Sequence, residues 1–107
     1  DGEIEKFTGI CKEAFEVTRA FDGCQGIDLT YNTENPKNWI FTEVWDSKQH
    51  YEKYLQFRTE DGTLDAVASL CEDAPSIRIF DICSILLLKG LYLAISQVLI
   101  SSINCDL

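Results

Sequence analysis

The chain has 107 residues, a mass of 12.1 kDa and a formal net charge of −9, from 9 Lys and Arg against 18 Asp and Glu. A chain this short forms one domain around one core, burying about 60 to 65% of its unfolded surface, which excludes a second domain. The acidic balance repels polyanions and no basic stripe offsets it locally, which excludes nucleic acid as a partner.

From Ile4 to Phe21 the residues Ile4, Phe7, Cys11, Ala14, Phe15 and Thr18 recur at spacings of three and four, which predicts an amphipathic helix over about 4–20. Phe21-Asp22-Gly23 stops it. In "IDLTY" the apolar Ile27, Leu29 and Tyr31 alternate with Asp28 and Thr30, as in a strand with one buried face. Asn32 to Asn38 reads as a polar loop containing Pro36. "WIFTEVW" follows as a second strand over 39–45, with Trp39, Phe41, Glu43 and Trp45 on one face and Ile40, Thr42 and Val44 on the other. The two strands suggest an antiparallel hairpin.

Asp46 and Ser47 can each cap the next helix, and Gln49 three residues after Asp46 makes an acidic variant of the capping box. That helix, over about 47–58, presents Tyr51, Tyr54, Leu55 and Arg58 along one side. Glu60-Asp61-Gly62 ends it, Leu64, Val67, Ala68 and Cys71 mark a short helix near 63–71, and "SIRIF" predicts a strand over 76–80. The order helix, strand, strand, helix, short helix, strand is a ferredoxin-like α+β pattern without its first strand. The absence matters, because that strand occupies the middle of the sheet and its loss leaves unpaired backbone on both sides of a gap.

The stretches "TRAFDGCQGIDLTYN", "FTEVWDSKQHYEKYLQFR" and "APSIRIFD", in this order, make residues 6 to 81 resemble the antibiotic biosynthesis monooxygenase family. The resemblance implies a ferredoxin-like unit that pairs into a dimeric α/β barrel, with Gly23-Cys24 and Gly26 in the helix-to-strand turn. It also implies oxygenation of a small aromatic or quinol held between sheet and helices, with neither metal nor flavin as cofactor. Some relatives degrade haem with a histidine on the equivalent of the 47–58 helix and an asparagine on the first strand. That role does not carry over to His50, for want of the strand.

Within that frame Trp45, Tyr51, Tyr54 and Arg58 are the donors that line such a cleft, against the plainer reading that Trp45 and Tyr54 fill the core between helix and sheet. Glu43 lies among aromatics on the same strand face. It is either a carboxylate of raised pKa able to act as a base or one half of an ion pair with Arg58 or Arg19. His50 points about 100° away from Tyr51 and reads as a solvated residue. Cys24 reads as a turn thiol. The expected function is therefore a cofactor-independent monooxygenase acting on a small aromatic or quinone-like molecule. The alternative is a non-catalytic dimeric binding or interaction module of the same fold.

The five cysteines, Cys11, Cys24, Cys71, Cys83 and Cys105, are odd in number and lack metal-ligand spacing. They read as reduced thiols, which places the chain in the cytoplasm. The acidic opening Asp1-Gly2-Glu3 carries no sign of a secretory leader and leaves no room for the family's first strand, as in an amino-terminal truncation. The domain is expected over 1–81, followed by an apolar extension over 82–107 in which Lys89 is the only charge from 82 to 103. The preferred form for that tail is a helix over about 85–101, lying against the domain or a membrane. Two alternatives are a strand over Ile82 to Leu88 filling the sheet's gap, and a tail foreign to the domain.

Overall fold

A computed structural model describes residues 2–81 and 98–107 of the chain. The elements are α1 (Gly2–Ala20), β1 (Cys24–Asn32), β2 (Asn35–Trp45), α2 (Lys48–Asp61), α3 (Thr63–Ala68), β3 (Ser76–Asp81) and β4 (Leu99–Asp106). The fold is α+β and ferredoxin-like: a four-stranded antiparallel sheet in the order β1-β2-β4-β3 with helices on one face.

The helical stripe of α1 buries Phe7, Cys11, Phe15 and Thr18, the positions its three- and four-residue spacing selects. The helix ends where Gly23 takes φ +90, a conformation that side chains avoid. A second constraint acts at the same residue. A Cβ on Gly23 would collide with the His50 ring, so the imidazole rests directly on this turn.

The β1–β2 connection is shorter than the expected loop, because Asn32 pairs with Asn35 across a turn at Thr33 and Glu34. The next pair is Tyr31 with Trp39, which leaves Pro36 in a bulge where it owes no ladder hydrogen bond. The Pro36 carbonyl instead accepts from Trp39 Nε1 at 3.0 Å.

The expected gap in the sheet does not exist in this chain. β4 lies between β2 and β3, antiparallel to both, from Trp45↔Leu99 to Asn38↔Asp106 on one side and from Asp81↔Leu99 to Ser76↔Asn104 on the other. Its alternation buries Leu99, Ser101, Ile103 and Cys105 on the helix side. The central position of the ferredoxin-like sheet is thus filled from the carboxy-terminal end. Residues 99–101, expected as the end of a tail helix, are strand, because a strand here satisfies the inner edges of β2 and β3 together. Residues 85–97 of that helix and the strand proposed over Ile82 to Leu88 fall outside the described residues. No helix among the described residues is long and apolar enough to cross a membrane.

The reading of all five cysteines as reduced thiols is also corrected. Cys71, just beyond α3, and Cys105, on β4, form a disulfide with Cα atoms 5.5 Å apart. Only the insertion of β4 brings these residues together, across 34 positions of sequence. Cys11 and Cys24 are free.

Candidate functional site

Along the inner face of the sheet, register places Ile27, Glu43 and Ser101 in one row and Leu29, Phe41 and Ile103 in the next. α1 covers the second row with Phe7 and Phe15, whose rings meet Phe41 at centroid distances of 5.8 Å each. α2 covers the first. Ser47 caps α2, accepting from His50 N at 3.2 Å, and Gly62 at φ +84 ends it. Between these caps the helix turns Tyr51, Tyr54 and Arg58 inward.

A cavity of about 190 Å³ remains between α1, α2, α3 and the sheet. Its wall is mostly apolar, with Phe15, Phe41 and Ile103 prominent, and its polar groups come from Thr18, Glu43, Tyr54 and Arg58 among others. Of the residues singled out in the sequence, Glu43, Tyr54 and Arg58 line this space. Trp45 and Tyr51 do not; both are 0% exposed and form the layer behind it. Trp45 stacks obliquely on Tyr51 and Tyr54, with centroids 5.6 and 4.8 Å away, and joins them in a small core cluster with Leu99.

Arg58 uses every donor it has. Nε donates to Tyr54 Oη at 3.0 Å; one terminal nitrogen donates to Asp61 Oδ2 at 2.9 Å and Thr63 Oγ1 at 3.2 Å; the other donates to the Ala14 carbonyl at 2.6 Å and Thr18 Oγ1 at 3.3 Å. Thr18 Oγ1 donates to the Ala14 carbonyl at 3.0 Å and lies 2.6 Å from Tyr54 Oη. With the threonine proton so engaged, the tyrosine is the donor between them. Arg58 is therefore a brace between α1, α2 and α3 with no donor left for a ligand.

Glu43 is different. It is 2% exposed, and Oε1 accepts from Trp45 Nε1 at 3.0 Å, while Oε2 has no hydrogen-bond partner among the described residues. Burial raises its pKa from 4.5 to about 7, against the lowering effects of the Trp45 hydrogen bond and the Arg58 charge. Neither cation considered as its ion-pair partner bonds to it among the described residues: Arg58 pairs with Asp61, and Arg19 donates to the Ile27 carbonyl. Burial raises the phenol pKa values of Tyr51 and Tyr54 as well, so both keep their protons at neutral pH. Tyr51 is held from β4, where Ser101 Oγ donates to its hydroxyl at 2.6 Å. No sequence signal marked Ser101 or Thr18 as members of this polar layer.

His50 stays outside the cavity. Its Nδ1 lies 2.6 Å from Ser47 Oγ and its Nε2 3.7 Å from the exposed Asp22 carboxylate, which binds it to the turn it rests on. Cys24 is half-buried, and burial foremost raises its thiol pKa. No group of three or more metal-ligating side chains occurs among the described residues.

A family model described as antibiotic biosynthesis monooxygenase matches residues 1–58. The match spans α1, the β1–β2 hairpin and α2 as far as the Arg58 brace. No curated protein matches the chain.

Proposed function

Because the chain belongs to the antibiotic biosynthesis monooxygenase family, we propose that it oxygenates a small, single-ring hydroquinone or related phenol in the cavity beneath α2. One observation carries this reading: the buried Glu43 carboxyl, whose Oε2 has no hydrogen-bond partner among the described residues, stands in a mostly apolar cavity, where burial raises its pKa to about 7. Engineered apolar cavities of about 150 Å³ hold benzene, so about 190 Å³ suits one substituted ring. With Arg58 saturated, a neutral phenol fits better than an aromatic anion.

In this reaction Glu43 accepts the proton of the ring hydroxyl through Oε2, and the phenolate reduces oxygen directly. A hydroquinone and one O2 give a hydroxyquinone and one water, all four electrons coming from the substrate. Trp45 Nε1 fixes the Glu43 carboxyl, which makes Trp45 a positioning residue. Tyr54, held by Arg58 and Thr18, walls the ring. Tyr51 supports that wall from behind.

Pairing into a homodimer belongs to the same reading. The outer sheet face aligns Val44, Ile100 and Phe80 in one register row, with Ile40 nearby, a stripe suited to a second copy. The cytoplasmic location expected from reduced cysteines loses that support, because the Cys71–Cys105 bridge is of a kind that a reducing thiol pool disfavours. Oxygen consumption with a panel of single-ring hydroquinones tests the activity. Turnover that is lost in Glu43→Gln supports it. Binding of the same rings without oxygen uptake would instead make the chain a non-catalytic binding module.

A further inference from the structure

We propose that the Cys71–Cys105 disulfide is an exchangeable latch that holds α3 as a lid over the cavity, so that a dithiol reductant opens the ligand site. This rests on the cavity being a ligand site, as argued above. The latch itself follows from how α3 is held.

α3 has six residues, too few to be stable alone, and none of them is buried. Even so, Thr63, Leu64, Val67 and Ala68 line the cavity. The helix is anchored at both ends instead. At its start Gly62, at φ +84, joins it to α2, and Thr63 is held by Asp61 and Arg58. Beyond its end Cys71 is bonded to Cys105, and Glu72 N donates to the Asp106 carbonyl at 2.6 Å. Among the described residues, apart from the bridge and that one backbone bond, this end rests on half-buried contacts of Val67, Leu70 and Cys71 with the core.

The two sulfurs are unequally placed. Cys105 is 1% exposed on a strand paired on both sides, whereas Cys71 is half-buried in an irregular segment. Breaking the bridge therefore leaves β4 in the sheet and frees the α3 end. In the exchange, a thiolate of the reductant bonds to Cys71 Sγ and Cys105 leaves as a thiolate that takes a proton. The second thiol of the reductant then displaces Cys71, which is protonated in turn, and the reductant departs as its own disulfide. Two electrons and two protons pass to the protein. The oxidised reagent reverses the step.

The test compares the full chain before and after treatment with dithiothreitol, using amide hydrogen exchange and equilibrium dialysis of p-cresol, a phenol that neither reagent oxidises or reduces. The expected result is faster exchange in 63–72 with α1 and the β1–β2 hairpin still protected. Affinity for p-cresol should fall about fivefold or more, with recovery on adding oxidised dithiothreitol. A Cys71→Ser, Cys105→Ser double variant should match the reduced chain under either condition. Unchanged exchange in 63–72 on reduction overturns the latch. So does an equal loss of protection in α1, which would make the bridge a staple of the whole domain. If p-cresol binds in neither redox state, the ligand-site reading fails, while the exchange data still decide whether α3 is released.

Discussion

Ser101 donates a 2.6 Å hydrogen bond to the hydroxyl of Tyr51, joining the carboxy-terminal strand to α2 across 50 residues of sequence. Both residues are 0% exposed, so neither oxygen can turn to water if the other is removed. Ser101→Ala should lower stability by about 1–3 kcal/mol, the cost of a buried unpaired polar group. Tyr51→Phe in the same chain should recover part of that loss. Urea unfolding of the two single variants and the double variant measures it, and additive losses would show that the bond contributes nothing beyond its parts.

Glu43 predicts two pH dependences. Its proton is held to about pH 7 in the folded chain, against 4.5 when unperturbed. The stability this contributes is complete below pH 4.5 and is lost as pH rises through 7, by about 3 kcal/mol in all. Glu43→Gln should remove that slope from the difference between urea midpoints at pH 5 and pH 8. Oxygen uptake with a hydroquinone should run the other way, rising through about pH 7 as the base loses its proton and levelling above it.

The saturation of Arg58 gives a prediction with two readouts. Arg58→Lys keeps the charge but loses the fork that reaches Tyr54, Asp61, Thr63, Ala14 and Thr18 together. Stability should fall by about 2–4 kcal/mol. Wild type should bind p-cresol in preference to benzoate; a preference for benzoate would mean that Arg58 gives up one of its bonds to a ligand.

Gly23 is constrained twice, by φ +90 and by the His50 ring. Gly23→Ala should cost about 1–3 kcal/mol. His50→Ala should cost much less, because the imidazole serves only the local turn. Adding His50→Ala to Gly23→Ala should restore only part of the stability, since backbone strain persists when the clash is gone. Thermal unfolding of the three variants checks this, and full restoration would assign the whole effect to the ring.

Removal of residues 99–107 tests the most consequential feature of the sheet. Without β4, the inner edges of β2 and β3 lose their partners and Phe41, Glu43 and Trp45 lose their neighbours. The shortened chain should fail to unfold cooperatively by circular dichroism. A cooperative transition with full helix and strand signal would mean that the rest of the chain closes its own sheet.

What the sequence determined by itself was local. The stripe of α1, the alternation of β2 and the inward face of α2 depend on chain periods of 3.6 and 2, which neighbouring residues carry without reference to the rest of the fold. The turns at Gly23 and Gly62 follow from the same short-range sterics. The tertiary structure decided what depends on which segments meet. An apolar run can be a helix or a central strand, and β4 became a strand because two open sheet edges awaited one. That insertion placed Cys105 beside Cys71 and Ser101 beside Tyr51, pairs that no sequence spacing encodes. It also set which of the candidate side chains are already hydrogen-bonded to one another. Tyr54, Arg58, Trp45 and Glu43 were all legible as inward-facing polar or aromatic side chains, but only their hydrogen bonds in the assembled fold left Arg58 spent and one oxygen of Glu43 without a partner among the described residues. Hydrogen-bond saturation is a property of the assembled network, and each member of this one depends on partners from a different element.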